Sequence, residues 1–189
     1  MKKQLAFYVD SKLCIGCFTC AMACKNQYHQ EPGVVWRHVY PLKEEIYPHH
    51  ERAFYSLACN HCEHPACLAA CPVGAYTKRE KDGVVVHNAE LCIGCQNCVR
   101  CCPYGVPQYN PATKRAEKCS LCWQRLDAGL LPACVQSCPT HALQLIDLAT
   151  FDDPNAEQYP PGFPRMESVN PSTRFRQPEL PRITRREDV

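Results

Sequence analysis

Seventeen cysteines stand in this 189-residue chain, and sixteen fall into four quartets whose spacing suits thiolates gathered on metal. The first quartet is Cys14, Cys17, Cys20 and Cys24. The second is Cys59, Cys62, Cys67 and Cys71; the third is Cys92, Cys95, Cys98 and Cys102; the fourth is Cys119, Cys122, Cys134 and Cys138. The third reads C-x2-C-x2-C-x3-C-P, the run in which three thiolates hold one cubane iron–sulfur cluster and the fourth reaches another. Three closely spaced thiolates on a tight loop wrap three corners of a cubane, and a short helical turn carries the fourth away. Pro103 then ends the turn and offers no competing N–H. Gly16 and Gly94 stand where such a loop turns sharply around sulfide, at least steric cost for glycine.

The first quartet keeps this spacing but has Lys25 in the proline's place. The second widens one gap around His64 and Pro65, and the fourth widens it further, yet both keep an opening C-x2-C and a closing C-x3-C-P. Such insertions are tolerated because loop-closure entropy grows slowly with length. Zinc ribbons also use C-x2-C pairs, but zinc calls for neither the third cysteine two residues on nor the repeated C-x3-C-P. A disulfide scaffold fits poorly with an odd cysteine count. Cys101, the odd one, reads as a buried or free thiol, with a substitute-ligand role only if Cys102 points elsewhere. His61 and His64 lie inside the second quartet, but cysteines already supply every corner of a cubane.

The elements that position these thiols are short. Phe7-Tyr8-Val9 predicts a strand before the first quartet, and Ala142–Ile146 one after the fourth. Ala75–Glu90 predicts a hairpin turning at Lys81-Asp82-Gly83. Short helices are predicted over Pro65–Ala70, with proline in the first turn, and over Gln96–Cys101. The expected class is α+β: two ferredoxin-like units, one nested inside the other. The inner unit takes residues 50–110. The outer, split unit takes 1–49 plus 111–150, a nesting expected to bring both ends of the chain close together. Residues 151–189 hold seven Pro, six Arg and no Cys. They predict an extended, irregular tail, either disordered or laid along a partner subunit.

Bulk properties exclude several roles. A net charge of +2 gives no basic excess for nucleic acid. No apolar run reaches the ~18 residues of a membrane helix, and no twin-arginine or secretory pattern opens the chain, so export is expected to depend on another chain. Apolar residues make up 46%, but many are Cys. The remainder fills only a small core, so metal or cross-links must help hold the chain.

The stretches Ser56-Leu57-Ala58-Cys59-Asn60-His61-Cys62-Glu63-His64-Pro65-Ala66-Cys67, Cys92-Ile93-Gly94-Cys95 and Cys102-Pro103-Tyr104-Gly105-Val106-Pro107-Gln108-Tyr109-Asn110 resemble the four-cluster electron-transfer subunit of dimethyl sulfoxide reductase-type molybdoenzymes. The resemblance covers about residues 4–148. It implies four [4Fe–4S] clusters with crossed ligands. One cluster takes Cys14, Cys17, Cys20 and Cys138, and its mate takes Cys119, Cys122, Cys134 and Cys24. A third takes Cys59, Cys62, Cys67 and Cys102, and a fourth takes Cys92, Cys95, Cys98 and Cys71. Some relatives replace the second cysteine of the third quartet and hold a three-iron cluster; Cys95 is present here.

The resemblance also implies two partners: a molybdopterin catalytic subunit and an integral membrane subunit that oxidises quinol. Membrane association would come through a partner, on the periplasmic face by co-export, with the cytoplasmic face as the alternative. Related subunits serve dehydrogenases and thiosulfate, polysulfide or tetrathionate complexes, so the terminal substrate stays open. No catalytic residue is expected in this chain. Lys25, Arg79, Arg100, Lys114, Arg115 and Lys118 lie near the motifs and are candidates for raising cluster potentials.

Overall fold

The computed structural model describes residues 3–42 and 53–178. Its central strand is β1, Leu5–Asp10, buried from Ala6 to Asp10 because strands flank both its edges. On one edge β8, Leu143–Asp147, pairs antiparallel with it, placing Phe7 opposite Leu145 and Val9 opposite Leu143. On the other, β10, Arg174–Arg176, pairs parallel, and β9, Ala156–Glu157, closes the sheet in the order β8-β1-β10-β9. The strands before the first quartet and after the fourth are therefore direct neighbours.

Three two-stranded antiparallel sheets accompany this one. They join β2, His38–Pro41, to β3, Phe54–Leu57; β4, Tyr76–Lys78, to β5, Val85–His87; and β6, Gln108–Asn110, to β7, Arg115–Glu117. The middle hairpin is the one predicted, with Gly83 at φ 70° in its turn. The helices are α1, Thr19–Gln27; α2, Ala66–Ala69; α3, Asn97–Cys101; α4, Trp123–Asp127; and α5, Ala133–Gln136. Among the described residues only α1 exceeds five residues. Such pieces are unstable alone; their service is to deliver thiols, Cys20 and Cys24 on α1, Cys67 on α2, Cys98 on α3 and Cys134 on α5. Pro65 precedes α2 in an extended conformation rather than standing in its first turn.

The boundary expected between residues 110 and 111 lies at the β6–β7 hairpin, where Asn110 pairs with Arg115. One expectation needs correction. The stretch after residue 150 is extended but not a free tail through residue 178. Val169 and Phe175 are buried, Ser172 donates its hydroxyl to the His61 carbonyl, and the Glu63 and His64 N–H groups donate to Asn170 and Val169. Arg174 and Arg176 in this stretch are used internally. Arg174 donates to the carbonyls of Pro171, Ser172 and Thr173, and Arg176 lies 3.9 Å from Asp10. Residues 179–189 of the expected tail, and 43–52, lie outside the described residues.

Phe175 is fully buried, with ring centroids of Tyr55 at 5.6 Å and Phe163 at 5.3 Å. Phe175→Ala is expected to destabilise the iron-loaded protein by about 3–5 kcal/mol, read as a lower urea midpoint under anaerobic conditions. A loss below about 1 kcal/mol would mark β10 as a peripheral strand.

Candidate functional site

Each quartet opens with the same backbone device. The residue just before the second cysteine has positive φ in all four: Gly16 at 68°, His61 at 43°, Gly94 at 72° and Leu121 at 55°. This conformation swings that residue's N–H back onto the first cysteine. The Gly94, His61 and Leu121 N–H groups donate to the sulfurs of Cys92, Cys59 and Cys119 at 3.5, 3.5 and 3.4 Å, and Gly16 does the same for Cys14. Glycine is needed at Gly94 for a second reason: a Cβ there would run into the Lys114 carbonyl. Further donors reach other sulfurs: the Thr19 hydroxyl to Cys17 at 3.3 Å, the Ala75 N–H to Cys71 at 3.3 Å and the Gln30 amide to Cys24 at 3.4 Å. Donors aimed at sulfur favour the thiolate, the form that binds metal.

Two of the fourth cysteines each line a cavity with the thiols of another quartet. Cys138 lines an apolar cavity with Cys14, Cys17 and Cys20, walled by Val9, Val39 and Leu143. Cys102, extended at the C-terminal end of α3, lines another with Cys59, Cys62 and Cys67, walled by Val85, Val106 and Val169. The Cys24 thiol feels the charges of Cys119 and Cys134, and Cys134 those of Cys119 and Cys122. Cys71 packs with Cys92 on the small core around Cys98, and Cys98 feels Cys92 and Cys95. All seventeen cysteines are free of disulfides. Among the described residues no three of His, Cys, Asp or Glu close to the spacing of a single metal ion.

Burial opposes negative charge on several of these sulfurs. Burial, then the neighbouring thiols Cys59 and Cys102, pushes Cys62 up to about 12. Burial likewise pushes Cys67 and Cys134 up to about 12. Without metal, Cys62, Cys67 and Cys134 keep their protons at neutral pH, and a metal must displace these to bind.

Of the six cations singled out in the sequence, one is buried among the thiols. Lys118 donates to the carbonyls of Val85 and Cys119 and lines the Cys59–Cys62–Cys67–Cys102 cavity. Arg79 pairs instead with Asp82 and Asp127, Arg100 with the Cys95 carbonyl and Asn97, and Lys25 with the carbonyls of Glu31 and Val34. Arg115 lies half-buried on β7, and Lys114 is exposed in the turn before it. His61 is buried. Its Nδ1 accepts the Val85 N–H at 3.0 Å, which leaves the proton on Nε2, 4.0 Å from the Cys119 sulfur. Burial and the charges of Lys118, Lys78 and Arg37 keep that imidazole neutral. His64 gives its N–H to the Val169 carbonyl, and Cys101 gives its S–H to the Cys98 carbonyl at 3.6 Å.

Sequence reasoning missed Arg37 and Ser56. The available signal was an arginine inside the otherwise apolar run Val34-Val35-Trp36-Arg37-His38-Val39. Arg37 is 1% exposed and donates to the Ser56 carbonyl and hydroxyl at 3.2 and 2.9 Å.

The family model described as 4Fe-4S dicluster domain matches residues 50–148, spanning the second, third and fourth quartets. The B subunit of the anaerobic dimethyl sulfoxide reductase of Escherichia coli K12 is 44% identical over 151 residues, 76% of this chain and 73% of that protein. A probable anaerobic dimethyl sulfoxide reductase subunit of the same organism, YnfG, is 43% identical over 152 residues, 76% of this chain and 74% of that one. Protein NrfC, also from that organism, is 41% identical over 150 residues, 78% and 66% of the two chains.

Proposed function

Since this protein belongs to the 4Fe-4S dicluster family that includes the B subunit of anaerobic dimethyl sulfoxide reductase, we propose that it relays electrons through four [4Fe–4S] clusters inside a multi-subunit reductase. The observation that carries this reading is the fourfold repeat of one loop, each presenting an N–H to the first sulfur of a quartet. The cavities shared by Cys14, Cys17, Cys20 and Cys138, and by Cys59, Cys62, Cys67 and Cys102, support the crossed ligand sets implied by the family. The proximity of Cys24 to Cys119 and Cys134, and of Cys71 to Cys92 and Cys98, supports the other two. When bound, each cluster takes up and releases one electron at a time; the chain fixes its place, its burial and the donors around its sulfurs.

Exposure suggests where electrons enter and leave. Only Cys17 and Cys95 are exposed, and they belong to the first and fourth of these sets. Leu13, Ile15, Phe18 and Met22 stand exposed around Cys17, and Leu91 and Ile93 around Cys95. Apolar rims of this kind suit protein partners. In our reading one end meets a molybdopterin catalytic subunit and the other a quinol-oxidising membrane subunit. Among the described residues no helix is long and apolar enough to cross a membrane. Attachment through the anchor, on the periplasmic face with the cytoplasmic face as the alternative, is part of the proposal.

The test is anaerobic purification with iron, acid-labile sulfide, zinc and molybdenum measured on the chain and on its co-purifying complex. About sixteen iron and sixteen sulfide per chain, with a molybdenum-containing chain and a membrane subunit that reduces the iron on addition of a quinol analogue, is the expected result. About four zinc and no sulfide would overturn it.

A further inference from the structure

Arg37 lies in the interior, and among the described residues no carboxylate meets it. Its terminal nitrogen Nη1 is occupied by Ser56, but Nε and the other terminal nitrogen have no hydrogen-bond partner there. One face of the guanidinium covers the Phe7 ring, 4.2 Å from its centroid. A buried, half-unpaired cation is destabilising unless opposite charge lies close. The charges available to it are sulfurs: those of Cys134, Cys119, Cys20 and Cys24. Cys20 belongs to one outer ligand set, and Cys24, Cys119 and Cys134 to the other. Arg37 also reaches the first set through a relay. Its Nη1 donates to the Ser56 hydroxyl, so the hydroxyl proton is free to be donated to the Cys20 sulfur, 3.2 Å away.

We propose that Arg37 is the shared counter-charge of the two outer cluster sites and holds both of their reduction potentials up. The inference rests on the four-cluster reading above. A thiolate-bound cubane is an anion that gains one more negative charge on reduction, so a fixed buried cation stabilises the reduced form more than the oxidised one. Placed between two sites, one guanidinium raises both together and keeps electrons moving between them without a steep step. Of the inner sets, Cys59–Cys62–Cys67–Cys102 has Lys118 rather than Arg37 as its nearby buried cation.

The experiment is an EPR-monitored redox titration of the anaerobically purified complex, with iron counted in each sample. Arg37→Met keeps the volume and removes the charge. It is expected to lower two of four midpoints, each by about a tenfold change in the reduced-to-oxidised ratio, ~59 mV for a one-electron couple, and to leave the other two in place. Arg37→Lys, which keeps the charge, should restore most of the fall. Ser56→Ala, which breaks only the relay to Cys20, should lower one of the same two midpoints. Unmoved midpoints in an Arg37→Met protein of full iron content would overturn the proposal, as would an equal fall in all four. If Arg37→Met loses iron, Arg37→Lys and Ser56→Ala decide. A Lys variant with full iron whose two midpoints fall rejects the counter-charge, and a Ser56→Ala protein with no shift rejects the relay to Cys20. A wild-type protein without four clusters would instead reject the reading on which it rests.

Discussion

Stripped of iron, this chain loses its tertiary structure. Four of its five described helices span only four or five residues, far below the length at which a helix persists in water. The β4–β5 hairpin has three-residue strands, and a two-stranded hairpin of that size is marginal alone. What they pack on is largely sulfur. The smaller core has Tyr76, Val85, Cys98 and Ala116 at its centre and Cys67, Cys71 and Cys92 against it. The larger core counts Cys20, Cys59, Cys119 and Cys134 among its buried members. Without a cluster these thiols border cavities, and unfilled cavities destabilise in proportion to their volume. Anaerobic chelation is therefore expected to abolish near-UV circular dichroism. It should also speed amide exchange in β4, β5, α2 and α3 by at least about a hundredfold, an opening easier by ~2.8 kcal/mol. The four-stranded sheet, whose core includes Phe7, Val9, Leu143 and Phe175, should lose protection last. Native near-UV signal and protected hairpin amides in an iron-free sample would show that apolar packing, not the clusters, holds the inner region.

The parts of this arrangement that were legible in the sequence are those where chemistry dictates spacing. A cubane fixes the separation of its thiolates, so C-x2-C-x2-C announces a loop, and the glycines at 16 and 94 announce its handedness. The structure finds the same handedness at His61 and Leu121, where no glycine marks it; there the N–H-to-sulfur bond holds a conformation that the side chain disfavours. Apolar runs around Phe7 and Leu143 marked the paired outer strands. β10 escaped because it is three residues long and flanked by Pro171 and Pro178, and it gains its strand character from β1 rather than from its own pattern. Arg37 escaped for a related reason. Arginine is usually solvated, and only the fold reveals that the nearest opposite charge is sulfur.

Cys62→Ala and Cys102→Ala should remove the same cluster, although the two residues belong to different quartets. The two line one cavity together with Cys59 and Cys67, while Cys95, in the quartet that contains Cys102, is exposed and does not line that cavity. The geometry behind this is local. α3 runs from Asn97 to Cys101, and Cys102 leaves it at φ −75° and ψ 115°, extended, with Pro103 preventing the helix from continuing. The chain is thereby turned away from its own loop and toward the neighbouring one. Each single variant is expected to lose about four of sixteen iron atoms and one EPR component. The double variant Cys62→Ala/Cys102→Ala should lose no more than either single change, since both act on one site, whereas Cys95→Ala/Cys102→Ala should lose about eight. Local binding makes the opposite forecast: the Cys95 and Cys102 changes would then overlap, and the Cys62 and Cys102 changes would add. The pattern of non-additivity thus decides between crossed and local ligation without any assignment of individual spectra. It also bears on assembly: if the fourth cysteine of each quartet serves its neighbour, neither member of a cluster pair can be completed until both loops have come together.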